Sequence, residues 1–339
     1  MSTTTTESSR LLLSGNDTAG LERYLAERGW LECGERVNTV ARAGEGNMNL
    51  TLRVSTSRRS VIVKQGRPWV EKYPSIAAPP DRTLVEADWY TIAGSSESVS
   101  ARTPQLLAID PDGKVLMLGD LGDAGDYLHL YNGATLGQTQ LESLVDWLLD
   151  LHLSFAGDSR AARLTNRPMR ELNHEHIFEV PFRPDNGLDL DGITPGLIAV
   201  AAELRTDREL MAAIRAVGEL YLGTGTTLLH GDYYPGSWLQ ANEPWIIDPE
   251  FGFYGLPEFD LGVMLAHLKL AQQPIELRYR TIMRYRAAAP RTDPTLALAF
   301  AGVEILRRLL GVSQLPVNLG LDAKRTLIEQ ACRFVRASA

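Results

Sequence analysis

Two apolar runs in this chain end in carboxylates. Leu228 and Leu229 lead into His230-Gly231-Asp232, and Trp245, Ile246 and Ile247 lead into Asp248-Pro249-Glu250. Two short buried strands joined by a loop would bring Asp232, Asp248 and Glu250 to one edge. Carboxylates confined together repel, so such a cluster faces a divalent cation or a proton in transit. Aspartate is also an ordinary turn residue at strand ends. A pair 16 positions apart, each closing an apolar run, says more than either residue alone. Lys64 closes another apolar run, Val61-Ile62-Val63. Its ammonium is poorly placed there unless an anion or carboxylate meets it, and Glu86 in TLVEADWY is the candidate partner. Arg307 and Arg308 interrupt the apolar segment VEILRRLLGV. Guanidinium groups are costly in such a place unless oxygens receive them. Adjacent helical residues point about 100° apart, so only one of the two easily faces a given groove.

The elements that must position these groups are legible from periodicity. Residues 17–30 carry Leu21, Tyr24, Leu25 and Trp30 at helical spacing. RVNTVARA (36–43), LTLRVS (50–55) and SVIVKQ (60–65) read as strands, with the polar loop GEGNMN (44–49) after the first and a TSRR turn after the second. A helix follows over 81–93, then a hairpin from LLAID (106–110) to KVLMLGDL (114–121). GDLGDAGDY (119–127) has the composition of a connector. Beyond it come helical patterns over 137–156, 195–221, 259–273, 274–289, 294–310 and 321–337, interrupted by a β-rich island over 226–251. The expectation is an α+β chain with a disordered leader (1–15), a small β-rich lobe (16–118), a hinge (119–122) and a larger, mainly helical lobe (123–339).

Composition narrows the function. The net charge of −8 gives no basic footprint for nucleic acid. Cys33 and Cys332 match no metal or redox spacing, which suits a reducing cytosol. No apolar stretch approaches membrane-spanning length and Leu11–Leu13 is too short for a signal, so a cytoplasmic protein with no membrane partner is expected. There is no G-x-x-x-x-G-K-[ST] and no G-x-S-x-G, against a P-loop and a serine hydrolase elbow. Glu171, Glu175 and Glu179 beside His174 and His176 read as a solvated face, and His152 as a core or groove histidine.

HGDYYPGS (230–237) followed by IIDPE (246–250) resembles the aminoglycoside-phosphotransferase and choline-kinase group of kinase-like enzymes, whose motif is H-G-D-x-x-x-x-N and then a strand ending I-D. Ser237 stands in the Asn position. That change and Asp-Pro-Glu-Phe in place of Asp-Phe-Gly look like the 5-methylthioribose kinase branch, as do GEGNMNLTLRV (44–54), VIVKQGRPWV (61–70), DPEFGFYGLPEFDLG (248–262) and EILRRLLGV (304–312). The resemblance spans about residues 20 to 335. The chain is shorter than is usual for that branch, and Tyr233-Tyr234-Pro235 differs from its loop.

The resemblance implies a bilobal protein-kinase-like fold and transfer of the γ-phosphate of ATP or GTP, with Mg²⁺, to a hydroxyl of a sugar-containing metabolite. Phosphoryl transfer leaves a protein mostly positioning and electrostatics. Asp232 would act as base at the acceptor hydroxyl. Asp248, helped by Glu250 and Ser237, would hold the metal through hard oxygens. Gly44, Gly46, Asn47 and Asn49 would approach phosphate oxygens, Lys64 with Glu86 would bind them, and Met117 and Gly119 would line the base site. Arg307 and Arg308 would contact acceptor or transferring phosphate. His230 and Asp260 would support the loop, the latter as a helix N-cap. An antibiotic O-phosphotransferase, nucleoside or aminoglycoside type, is the runner-up acceptor class, and a homodimer stays open. A protein kinase proper is disfavoured, since only 12 positions separate Asp248 from Asp260 and leave no room for an activation segment. A non-catalytic binding module, suggested by Ser237, is disfavoured by the presence of Lys64, Glu86, Asp232 and Asp248.

Overall fold

Alternation of apolar and polar residues builds the first sheet. In the computed structural model, which describes residues 11–44 and 48–338, the chain starts with helix α1 (Thr18–Glu27) and strands β1 (Val37–Arg42), β2 (Leu50–Thr56) and β3 (Ser60–Gln65). A two-stranded ribbon follows, β4 (Trp69–Val70) with β5 (Tyr73–Ala77), then helices α2 (Arg82–Ala93) and α3 (Glu97–Ser100) and strands β6 (Leu106–Asp110) and β7 (Val115–Gly119). The antiparallel sheet runs β1-β2-β3-β7-β6. Leu50, Leu52 and Val54 point one way along β2, as the two-residue period requires, and meet Val61, Val63, Leu21 and Leu25 in one core.

The described chain divides into two compact units, Met1–Ile92 with Pro104–Asp123, and Ala93–Thr103 with Ala124–Ala339. Two departures from the sequence reading follow from named contacts. Leu11–Gly15, assigned to the leader, belongs to the first unit: the Leu13 amide donates to Gln65, whose Nε2 donates to the Leu11 carbonyl, and Leu13 is buried. Residues 93–103, grouped by sequence with the β-rich lobe, pack with the second unit. Trp147 Nε1 donates to the Val99 carbonyl at 3.1 Å and Arg102 Nη1 to Ser143 Oγ at 2.6 Å.

One residue fastens the first unit's loops together. Arg82 is fully buried, and its guanidinium donates to the carbonyls of Met48, Arg67, Trp69 and Pro79 at 2.6 to 3.2 Å. A planar fork suits this better than an ammonium. Arg82→Met keeps the stem but takes the side-chain donor from four carbonyls, of which those of Met48 and Pro79 keep a backbone amide. It should lower unfolding stability by about 3–5 kcal/mol, seen as a fall in the urea midpoint at constant slope. A loss under about 1 kcal/mol would show the clamp to be dispensable.

The second unit is mainly helical: α4 (Gln138–Ser154), α5 (Arg167–His174), α6 (Leu190–Ile193), α7 (Leu197–Thr206), α8 (Arg208–Leu222), α9 (Glu258–Leu270), α10 (Ile275–Ala288), α11 (Pro294–Leu310) and α12 (Leu321–Arg336). The single helix expected over 195–221 is broken because the Asp207 carboxylate accepts from the Leu210 amide and starts α8. The island holds β8 (Thr227–Leu229), β9 (Trp238–Leu239), β10 (Trp245–Ile246) and β11 (Phe253–Gly255). Within the island β8 pairs with β11 and β9 with β10, so the strands that lead into the two acidic segments do not pair with each other. The acidic face after α5 is an ion-paired surface, Arg183 meeting Glu175 and Glu179 at 2.9 and 2.8 Å. Among the described residues no helix is long and apolar enough to cross a membrane.

Candidate active site

In the first unit Lys64 lies on β3 opposite Leu116, and its Nζ meets Glu86 Oε1 of α2 at 2.6 Å. Both side chains are buried. Breaking such a pair strands a charge, so each residue holds the other in place. Gly44 sits at φ +67°, a left-handed conformation that favours glycine. Asn49 is buried, while Gly46 and Asn47 lie outside the described residues. Met117 points into the core, and the Gly119 amide donates to the Gln105 carbonyl at 2.8 Å.

In the second unit β8 delivers His230-Gly231-Asp232 as a loop fixed by its backbone. Asp260 accepts from the amides of His230 (2.6 Å) and Gly231 (2.9 Å). Asp260 is therefore not the cap of its own helix; it is the third residue of α9, and its carboxylate serves the loop instead. His152 Nε2 lies 3.2 Å from the same carboxylate, with its Nδ1 2.5 Å from the Tyr285 hydroxyl. His230 links the two acidic segments. Its Nε2 donates to the Ile247 carbonyl at 2.9 Å and its Nδ1 accepts from the Asp232 amide at 3.3 Å. Burial pushes its pKa down, which suits that neutral tautomer. Gly231 adopts φ +86°, and a Cβ there would lie 2.2 Å from the Phe251 carbonyl oxygen. Only glycine lets the two segments approach so closely.

Asp248 stands at φ 64°, ψ 51°, in the left-handed region. The following Glu250 and Gly252 carbonyls both accept from Asn166 Nδ2, at 3.0 Å each. Asp232 and Asp248 both act electrostatically on His230 and on Tyr234. Ser237 Oγ donates to the Asp232 carbonyl at 2.9 Å, so its hydrogen closes the loop on itself. Among the described residues no group of three or more His, Cys, Asp or Glu side chains is arranged to hold a metal. Mg²⁺ seldom uses such a cage; one or two carboxylates with substrate phosphates suffice, and Asp248 and Glu250 supply hard oxygens of that kind.

One arginine of the pair, Arg308, reaches Asp232. Arg308 Nη2 lies 3.4 Å from Asp232 Oδ1, and its guanidinium carbon stands 5.0 Å from the centre of the Tyr234 ring. The oxygens that receive these arginines are largely the protein's own. Glu304 takes Arg308 Nε at 2.6 Å and Arg307 Nη1 at 2.9 Å. Both arginines can be served at once because Glu304 lies three and four residues before them. Burial raises the pKa of Asp232 against the pull of Arg308 and Arg307. Burial would raise Glu304 too, but the two adjacent arginines overcome it and hold that carboxyl well below the usual range. Tyr234 leans over Gly236, where a Cβ would fall 2.4 Å from the Tyr234 hydroxyl.

The methylthioribose kinase of Cronobacter sakazakii is 26% identical over 347 residues, covering 86% of this chain and 84% of the relative. That of Exiguobacterium sibiricum is 24% identical over 318 residues, covering 81% and 80%. In structure the chain is similar to the choline kinase LicA from Streptococcus pneumoniae, with a TM-score of 0.51 at 13% identity over 94% of this chain and all of that one. Residues 39–294 match the phosphotransferase enzyme family. That match covers most of the chain, both acidic segments and Lys64 included: the chain belongs to the phosphotransferase enzyme family and is an enzyme that moves a phosphoryl group onto an alcohol.

Proposed function

We propose that the protein transfers the γ-phosphate of ATP to a hydroxyl of a small neutral sugar of the 5-methylthioribose type. The observation that carries the acceptor class is the guanidinium of Arg308 beside Asp232, backed by Arg307. A guanidinium fixed beside the base suits a neutral, hydroxyl-bearing acceptor and opposes the approach of a cationic one. The methylthioribose kinases among its relatives support the same choice.

In this reading Asp232 accepts the acceptor's proton, and Arg308 steadies the charge developing beside it. Lys64, held by Glu86, meets the nucleotide phosphates. Asp248, with Glu250, would hold Mg²⁺, which when bound neutralises charge on the phosphate oxygens. His230, Asp260 and Ser237 hold the loop and touch no reacting atom.

A coupled phosphorylation assay tests the proposal, run with Mg·ATP and Mg·GTP over 5-methylthioribose, choline and kanamycin. Turnover of 5-methylthioribose in preference to kanamycin is the expected result. Efficient turnover of kanamycin with none of the sugar would overturn the acceptor class. Arg308→Ala should lower kcat/KM for the sugar by roughly 10²-fold and leave nucleotide affinity within about twofold. Collapse of nucleotide affinity with intact acceptor kinetics would place the arginine on the wrong ligand.

A further inference from the structure

Behind the arginine pair lies a buried chain of polar side chains that the chemistry above does not use. Tyr131, in the turn Leu128–Asn132, places its hydroxyl 2.5 Å from His267 Nδ1. His267, on α9, places Nε2 3.1 Å from Glu304 Oε1. All three residues are buried.

The direction of these hydrogen bonds can be worked out. Burial pushes the His267 pKa down to about 4, so at neutral pH the ring carries one hydrogen. Glu304 is ionised and only accepts, so that hydrogen sits on Nε2. Nδ1 must then accept, and the Tyr131 hydroxyl donates to it. Burial also pushes the Tyr131 hydroxyl well up, so it keeps its hydrogen. Each link therefore has one allowed orientation. The chain ends at Arg308, whose Nε is tied to Glu304 Oε1 and whose Nη2 faces Asp232. His267 also lies 5.1 Å from the Tyr234 ring, the surface over which Arg308 stands.

We propose that Tyr131, His267 and Glu304 are positioning residues that set where the Arg308 guanidinium stands against Asp232. A role confined to packing would be served as well by apolar side chains, which often stabilise such sites more than buried ions do. A fully connected polar chain instead selects one geometry. The pattern recurs elsewhere at the loop: Tyr285, His152 and Asp260 form a second tyrosine–histidine–carboxylate chain, and it holds the amides of His230 and Gly231. Asp232 is thus fixed through its backbone by one chain and faced by the arginine that the other chain aims.

The inference rests on the reading of Asp232 as the base, and two measurements keep the two ideas separable. The first is steady-state kinetics of the full chain with Mg·ATP and 5-methylthioribose. Tyr131→Phe and His267→Leu should each lower kcat about tenfold with both KM values within about twofold, because a misaimed group hurts the reacting geometry more than binding. His267→Gln can accept from Tyr131 and donate to Glu304, and should return kcat to within about threefold of wild type. Wild-type kcat in Tyr131→Phe, raised KM at constant kcat, or a glutamine no better than leucine would overturn the proposal. Should His267→Leu fail to fold, Tyr131→Phe removes a single oxygen and still decides. The second measurement needs no turnover. Long-range ¹H–¹⁵N spectra of the six histidines should show His267 neutral at pH 7 with its hydrogen on Nε2, and its signals should move in Tyr131→Phe. A charged ring, or the hydrogen on Nδ1, would overturn the proposal whatever the acceptor proves to be. Failure of wild type to phosphorylate 5-methylthioribose, with the tautomer as stated, would instead remove only the acceptor.

Discussion

Asp232→Asn should lower kcat by roughly 10²–10⁴ and leave the Kd for nucleotide unchanged, the range for loss of a positioned acid–base group. The fold should survive the change. Asparagine is isosteric, and the loop is held by Asp260 through the amides of His230 and Gly231, not through the Asp232 carboxylate. Arg308 would face an amide oxygen in place of a charged carboxylate and keep its bond to Glu304. The pH dependence gives a second handle on the same residue. A base works when deprotonated, and burial raises the pKa of Asp232. The acid limb of kcat/KM should therefore fall at a pH above the ordinary aspartate range and vanish in the variant. Wild-type turnover by purified Asp232→Asn would remove the assignment.

Asp248→Asn should abolish Mg²⁺-dependent turnover, a loss of about 10³-fold or more, because a hard anionic ligand and its charge are removed together. Asparagine tolerates the left-handed backbone that Asp248 adopts, so the effect reads on the carboxylate and not on the turn. Glu250→Gln should weaken the response to Mg²⁺ less severely. Ser237→Ala should act chiefly through the loop, since its hydroxyl donates to the Asp232 carbonyl. Titrating activity with Mg²⁺ separates these cases. An unchanged apparent Mg²⁺ affinity in Asp248→Asn would show that the metal is held elsewhere.

Much of this site could be read from residue order because its signals are local. The alternation in LTLRVS and SVIVKQ specified the strands, and the apolar run before Lys64 called for the carboxylate that Glu86 supplies at 2.6 Å. Signals that depend on distant partners were not legible. Strands of two or three residues carry no register information, so nothing local showed β8 pairing with β11 in preference to either intervening strand. A break between two helical patterns, as at Asp207, leaves periodicity intact on both sides. Tyr131 and His267 are 136 positions apart, and no spacing rule connects them. Glu304 is different. Its place three and four residues before the arginine pair is a readable helical signal, and it supplies oxygens that the sequence reading had assigned to a ligand.

The backbone at Asp248 also bears on how such a chain evolves. An L-residue with a Cβ held in the left-handed region is less stable there than glycine by about 1–2 kcal/mol. Glycine at 248 would relax the backbone of the turn while removing the carboxylate proposed above to hold the metal. Backbone conformation at this position therefore favours glycine, and on the proposed reading selection on catalysis opposes it. A duplicated copy released from that selection could take glycine at 248 without backbone strain. Inactive descendants of this fold could then persist as well-folded proteins, recognisable by a glycine at this one position.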